Sequence, residues 1–461
     1  MLLLVATILW VESSIQLTAV VMCSFLFTDI PVENLDQTNH YMKFRGPDFT
    51  NNIKVKDYTI VHNILSITGA FRPQPFIDLD NQILCVYNGE IYNHKKFGGY
   101  TSDGECIIPT YRELGDQCFK EFDGEFAIVL ADLKNNLLHL VTDPFSTKPL
   151  WYGVSGGKVA VASYESAVKS LGISATKLEA NTILTLDLTT KSHINSRRTF
   201  DFNLRQYKDS FDDWIVSFQD SIHKRTHGVR EKLFIGLSSG YDSGAIACEL
   251  NKQNVPFKSY SIIGNENMSI LDARVGSFKK ISQCEYMDDN RWSYKDYINK
   301  NVEEFMYRIY SSSSDYNEFG RRLQDDYGSC GLSQICDKAH KEGKKIYLSG
   351  SGSDEIFSDY GFNGEKKFNH SNFGGLFPED LSTIFPWASF YGSTMVSYLA
   401  KEEYVAGSYG IETRYPFLDK YVVQEFLSLT HTLKNSKYKS VLDEYLSRNN
   451  YPFESNVKRG F

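Results

Sequence analysis

Two stretches far apart in this chain combine residue types that can do chemistry. Leu237-Ser238-Ser239-Gly240-Tyr241-Asp242-Ser243 follows the apolar run from Leu233 and precedes the helix-like Ala245 to Leu250. A buried strand that empties into a Ser/Gly turn ahead of a helix aims backbone N–H groups and the positive helix end at one point. That arrangement suits a phosphate, so the stretch proposes an ATP site. It lacks the lysine of a Gly-Lys-Ser/Thr P-loop, and an ordinary βα turn uses the same residues. Lys345-Ile-Tyr-Leu-Ser349-Gly350-Ser351-Gly352-Ser353-Asp354-Glu355 repeats the pattern and ends in carboxylates. Alone, Asp354-Glu355 reads as a solvated helix start. Paired with the first turn, it offers backbone donors for phosphates, and Asp242 and Asp354 become hard oxygen ligands for Mg²⁺.

Near the other end, Tyr87-Asn88-Gly89-Glu90-Ile91-Tyr92-Asn93 closes a strand with an amide side chain beside a bare backbone N–H. An oxyanion hole requires that pair. Cys23 directly follows a second methionine, Met22. As a first residue it would carry a free α-amine of pKa near ~8, which can activate its own thiol. The competing reading makes Cys23 a buried strand cysteine and Asn88-Gly89 a hairpin turn.

The elements around these residues divide the chain. From Cys23 to about Asn195, apolar runs at 23–27, 59–67, 83–87, 126–131, 137–141, 159–162 and 182–186 read as strands, with a helix at 105–114. Lys191 to Phe211, polar and basic, reads as a linker. Beyond it, a helical period at 214–224 precedes strands at 233–237, 258–263 and 345–349 that alternate with helical stretches, which implies a parallel sheet covered on both faces. Met1 to Met22 resembles a signal-peptide core but has no basic residue ahead of it, and Glu12 interrupts it. We expect it to be a mis-called start or a removed segment, which leaves a cytoplasmic protein.

Length favours at least two domains, since 461 residues exceed one ordinary core. A net charge of −8 leaves no electrostatic footprint for nucleic acid, and no other run approaches a membrane span. The eight cysteines form no CxxC or zinc spacing, consistent with reduced thiols.

Met22-Cys23-Ser24, Arg45-Gly46-Pro47-Asp48, Gln74-Pro75, Asn88 to Asn93, Ser102-Asp103-Gly104-Glu105, Phe122 to Ala127 and Asp143-Pro144 resemble the glutaminase half of class II glutamine amidotransferases. Leu237 to Ser243, Ser349 to Glu355, Gly410-Ile-Glu-Thr-Arg-Tyr-Pro-Phe-Leu-Asp419 and Lys458-Arg-Gly-Phe461 resemble a synthetase half. In this order they are similar to the glutamine-hydrolysing asparagine synthetase family. The resemblance implies an α+β N-terminal-nucleophile sandwich (αββα) over 23–195 and an α/β doubly wound parallel-sheet ATP-pyrophosphatase domain over 196–461. By it, Cys23 attacks glutamine, Asn88 and Gly89 hold the oxyanion, and Glu90, Asp103 and the backbone around Leu65 to Ile67 bind glutamine. Leu237 with Ile262 or Ile263 borders the adenine, and Ser238, Ser239, Gly240, Asp242, Ser243, Ser349 and Gly350 hold ATP phosphates. Asp242 and Asp354 hold Mg²⁺, Lys458 neutralises phosphate charge, and aspartate or another small carboxylate accepts the ammonia. A homodimer is a further expectation.

Three departures bear on this. The arginine expected to pair with glutamine's carboxylate is Ile64, with Arg72 as a candidate substitute. The acidic residue expected between the glycines of the second turn, proposed as a base for ammonia attack, is Ser351, with Glu355 or Glu412 as replacements. Ser239 stands for a glycine. The readings are therefore an asparagine synthetase, a related amidotransferase acting on another carboxylate such as a sugar or peptide, or a non-catalytic relative.

Overall fold

The computed structural model describes residues 21–67, 72–229, 232–264, 266–310 and 321–458. The expected extension lies outside these residues up to position 20, while Val21 and Met22 already open the first strand.

Among the described residues, twelve strands form the first half: β1 (Val21–Thr28), β2 (Phe49–Val55), β3 (Tyr58–Ser66), β4 (Phe76–Asp78), β5 (Ile83–Ile91), β6 (Gly124–Asp132), β7 (Leu137–Thr142), β8 (Trp151–Ser155), β9 (Lys158–Ala162), β10 (Thr176–Lys177), β11 (Ile183–Asp187) and β12 (His193–Arg197). They make two six-stranded sheets, in the orders β10-β8-β9-β1-β3-β2 and β12-β11-β7-β6-β5-β4. Phe25, Phe27 and Ile60 of one sheet meet Leu84, Val86, Val129 and Leu140 of the other in a shared core. Alternation along each strand sends the remaining apolar residues outward. Cys85, Tyr87 and Ile128 bury against the helices Ile107–Leu114 and Cys118–Glu121, while Leu26 and Val61 face Ala167 and Val168 of the helix Glu165–Lys169. The layers are therefore αββα, as the resemblance implied.

The linker expected from Lys191 begins later. β12 pairs with β11 from Ile183↔Arg197 onward, so the boundary placed at 195 falls inside an edge strand whose polar sequence hid it.

The second half centres on an all-parallel sheet: β13 (Leu233–Gly236), β14 (Lys258–Ile262), β15 (Gln283–Met287), β16 (Ile346–Leu348) and β19 (Glu412–Arg414). A small hairpin, β17 (Gly361–Phe362) with β18 (Glu365–Lys366), stands apart. The order β15-β14-β13-β16-β19 reverses direction between β13 and β16. Leu233 and Ile235 face one way, into a core with Ile246 and Leu250 of the helix Tyr241–Lys252. Phe234 faces the other, toward Ile335 of the helix Tyr327–Lys341 and Val405 of the helix Thr394–Gly407. The doubly wound arrangement is thus present. Helix Thr394–Gly407 also reaches the first half, where Tyr404 stacks on Tyr164 at 5.0 Å and its hydroxyl accepts from Trp151 Nε1 at 3.0 Å. Among the described residues no helix is long and apolar enough to cross a membrane.

Candidate active sites

β1 places Cys23 opposite Ile64 on β3, with both side chains fully buried. The Cys23 backbone N donates to Asn88 Oδ1 at 3.3 Å, and Gln74 Nε2 approaches its Sγ at 3.9 Å. With Oδ1 engaged, Asn88 presents a buried Nδ2 that has no partner among the described residues. An orphaned buried donor is costly unless a ligand oxygen meets it, so a donor so placed beside Cys23 suits an oxyanion. Gly89, next along β5, has φ +133° and packs so closely on β6 that a Cβ would stand 1.9 Å from the Glu125 carbonyl oxygen. Glycine alone fits there.

Burial pushes the Cys23 thiol well above its usual range, helped by the carboxylates of Asp103, Glu412 and Glu90 and opposed by Arg45. Such a thiol needs a local base. Asp103 is buried and accepts from Tyr87 OH at 2.5 Å and Ile91 N at 2.7 Å. Glu90 accepts instead from Arg414 of β19 at 2.8 Å. Leu65 and Ile67 pack into the core of the second half, and the Ile67 carbonyl accepts from Lys232 at 2.8 Å. Arg72 donates to Glu105 at 2.7 Å, two residues along the chain from Asp103, and its side chain is exposed whereas Ile64 is fully buried.

The two Ser/Gly turns follow β13 and β16, the strands between which the sheet order reverses. In an open α/β sheet that switch point is where ligands bind. The turns touch: a Cβ on Gly350 would lie 2.9 Å from Asp242 Cβ, and Ser353 Oγ donates to Asp242 Oδ1 at 2.7 Å. Ser238 and Ser243 hold the first turn through a 2.9 Å hydroxyl contact, and Arg274 braces it from behind, donating to the Gly240 carbonyl at 2.9 Å. The β-carbon of Ser239 is accommodated, because its backbone N donates to Glu266 at 2.6 Å and its hydroxyl does the same. A carboxylate resting on the turn's N–H shows that the donors suit an anion.

In front of the turns lies a cavity of about 610 Å³, lined on its apolar side by Leu237, Ile262, Ile335 and Tyr347 and on its polar side by Ser238, Asp242, Ser243, Gly350, Asp354 and Lys458. That is ample for a nucleotide-sized ligand. Ser239, Gly240 and Ser349 support the wall without lining it, and Ile263 is 39 % exposed and turned away. Lys439, which the sequence reading missed, donates to Asp242 at 2.6 and 2.8 Å and lies 2.9 Å from Asp354. Lys458 also pairs with Asp354. Despite burial, these two lysines hold the Asp354 carboxyl well below the usual carboxylate range. Two carboxylates converging on one cation position match the donor set Mg²⁺ takes beside substrate phosphates.

Between the sites lies a band of buried charge. Arg45 donates through Nε to the Cys23 carbonyl at 3.2 Å and pairs with Glu403 of helix Thr394–Gly407. Lys148 bridges Glu403 at 3.1 Å and the Thr413 carbonyl at 2.6 Å. Glu125 of β6 accepts from Arg225 at 2.7 Å and from Tyr415 N at 2.9 Å, and Arg225 reaches Asp419 at 2.8 Å. Arg45 and Lys148 meet Glu403, and Arg225 meets Glu125, so much of this charge is neutralised across the boundary between the halves.

Residues 21–204 match a family described as a glutamine amidotransferase domain. A putative glutamine-hydrolysing asparagine synthetase of Methanocaldococcus jannaschii is 25 % identical over 439 residues, 87 % of this chain and 75 % of that one. An asparagine synthetase of Triphysaria versicolor is 24 % identical, covering 86 % and 67 %. Amidase chyE of Penicillium rubens is 26 % identical, covering 71 % of this chain and 55 % of its own length. The first half is a glutamine amidotransferase domain, and the likeness to glutamine-hydrolysing asparagine synthetases runs through most of the chain.

Proposed function

From a chain built on the plan of the glutamine-hydrolysing asparagine synthetases, we propose a ligase that takes ammonia from glutamine and uses ATP to amidate a small carboxylate, aspartate first among them. The observation that carries this reading is the switch point itself, where both Ser/Gly turns, Asp242, Asp354 and two lysines converge on one cavity. Helix Thr394–Gly407 contacts that cavity on one side and the Cys23 region on the other.

In the first site, Cys23 attacks the side-chain amide carbon of glutamine, and the oxyanion forms against Asn88 Nδ2 and the Gly89 N–H. As an amide within β1, the Cys23 nitrogen is a donor only; as a free amine it would be the base the buried thiol lacks. Water then releases glutamate. In the second site, the lysines and turn donors orient the nucleotide phosphates, and Asp242 and Asp354 would hold Mg²⁺, which screens phosphate charge. The acceptor carboxylate attacks the α-phosphorus, pyrophosphate leaves, and ammonia displaces AMP from the acyl-adenylate. Adenylation supplies the leaving group that a bare carboxylate lacks.

A second reading, with a different acceptor, is favoured by Ser351 and by Ile64, which alter the surroundings of both substrates. Pyrophosphate release with ammonia against a panel of carboxylic acids tests both. Aspartate-dependent release supports the first; a response to another acid and none to aspartate selects the second. Nucleotide binding without turnover of any acid or of glutamine would leave only a non-catalytic protein.

A further inference from the structure

We propose that Glu402 is the general base of the amide-forming step, standing in for the acidic side chain absent at Ser351. This inference rests on the ligase reading above and assigns one of its protons.

Glu402 sits on helix Thr394–Gly407, 7 % exposed, in the cavity wall. Its Oε1 accepts from Ser351 Oγ at 2.8 Å, so a carboxylate reaches across the cavity to the position where the turn has only a hydroxyl. Its Oε2 is buried and has no hydrogen-bond partner of ordinary geometry among the described residues, with the Ser349 hydroxyl beside the carboxyl. No other carboxylate lining the cavity has an oxygen left in that condition among the described residues.

The alternatives expected from sequence are placed elsewhere. Glu412 also has an unpartnered buried Oε2 among the described residues, but it pairs with Arg414 in β19 and does not line the cavity. Glu355 does line it, but accepts from Tyr360 OH at 2.5 Å beside the Asp354–Lys458 pair, at the phosphate end. Asp326 caps helix Tyr327–Lys341 and accepts from Tyr307 OH at 2.9 Å.

Helix geometry gives the second argument. Neighbouring helical residues point about 100° apart. Glu403 is therefore directed to Arg45, which holds the Cys23 carbonyl, while Glu402 is directed into the cavity. One helix thus carries adjacent residues to both sites, Glu402 to the cavity and Glu403 to the arginine that holds the Cys23 carbonyl. Burial pushes the Glu402 carboxyl up, against Lys401 and the serine hydroxyls, which makes it a stronger base once ionised.

In the step, the ammonia lone pair forms the C–N bond at the acyl carbon. Glu402 takes one N–H proton, and the C–O bond to AMP breaks with its electron pair leaving on the phosphate. Glu402 then returns the proton to solvent.

The test compares two readouts in the same preparations, using ATP and the acid the panel selects: pyrophosphate exchange, which needs no ammonia, and amide formed from added ammonia. Glu402→Gln is expected to lower amide formation by roughly 10²–10⁴-fold, the usual worth of a general base, and at least tenfold more than it lowers exchange. Adding Ser351→Glu to Glu402→Gln is expected to recover amide formation by about tenfold or more, because it returns a carboxylate to the same spot. Equal losses in the two readouts, or amide formation within about threefold of wild type, would overturn the assignment. Wild-type protein that exchanges pyrophosphate with no acid overturns the ligase reading and the base with it, a result visible before any substitution is made.

Discussion

Replacing Gly89 by alanine strikes the glutaminase site through the backbone alone. A Cβ there would stand 1.9 Å from the Glu125 carbonyl oxygen and 2.7 Å from Phe126 Cα, whereas ordinary contact begins at 3.4 Å. The obstacle is backbone in the middle of a sheet, so β5 and β6 must part rather than a side chain swing away. Holding alanine at φ +133° costs roughly 1–3 kcal/mol, and overpacking adds about 1–3 kcal/mol. Together these destabilise the first half by on the order of 2–6 kcal/mol. The displaced strand also carries one oxyanion donor away from Cys23, which lowers glutamine hydrolysis by roughly 10²–10³-fold. Glutamate release and the thermal unfolding midpoint would be compared with Gly99→Ala, an exposed glycine whose added Cβ meets nothing within 4 Å. A Gly89→Ala protein that melts with the control and hydrolyses glutamine at the control's rate would refute the reasoning.

Arg45→Met leaves Glu403 short of its arginine and the Cys23 carbonyl without its donor; we expect a loss of roughly 3–5 kcal/mol in urea unfolding, partly restored by adding Glu403→Gln. His62 is fully buried and its pKa is lowered from 6.5 to about 3, so the unfolded chain binds the proton more readily. Stability contributed by the neutral ring is present above pH 6.5 and lost as pH falls toward 3, by about 2 kcal/mol at pH 5. His62→Gln should flatten the dependence of the urea midpoint between pH 7 and pH 5 by that amount. Lys439→Met leaves Asp242 and Asp354 facing each other without the ammonium between them. Pyrophosphate exchange is expected to fall by roughly 10²-fold, and exchange equal to wild type would remove Lys439 from the phosphate site.

Much of the fold was legible because apolar runs mark buried strands: β1, β5, β6, β13 and β14 all lie within a few residues of their expected positions. The strands missed were those whose stability comes from elsewhere. In β19, Glu412-Thr413-Arg414 is fully buried yet highly charged, because Arg414 pairs with Glu412 and with Glu90 more than three hundred residues earlier. β12 and β15 are edge strands with polar sequences. The same reason limits the sites. Cys23, Asn88, Asp242 and Asp354 stand in compact motifs, but Lys439 and Glu402 belong to none and meet Asp354 and Ser351 only through the fold. A carboxylate missing from a loop at one position was replaced from a helix 51 residues on, a substitution that spacing along the chain cannot reveal.

The ions paired between the halves have a practical corollary. Expressing either half by itself would part Glu90, Glu125 and Lys148 on the first fragment from Arg414, Arg225 and Glu403 on the second, exposing charges to water on a face shaped to be dry. Swapping one module for that of a relative would meet the same obstacle unless both faces of the seam were transplanted as a set. The two halves are therefore expected to tolerate change at the cavity lining more readily than at the join.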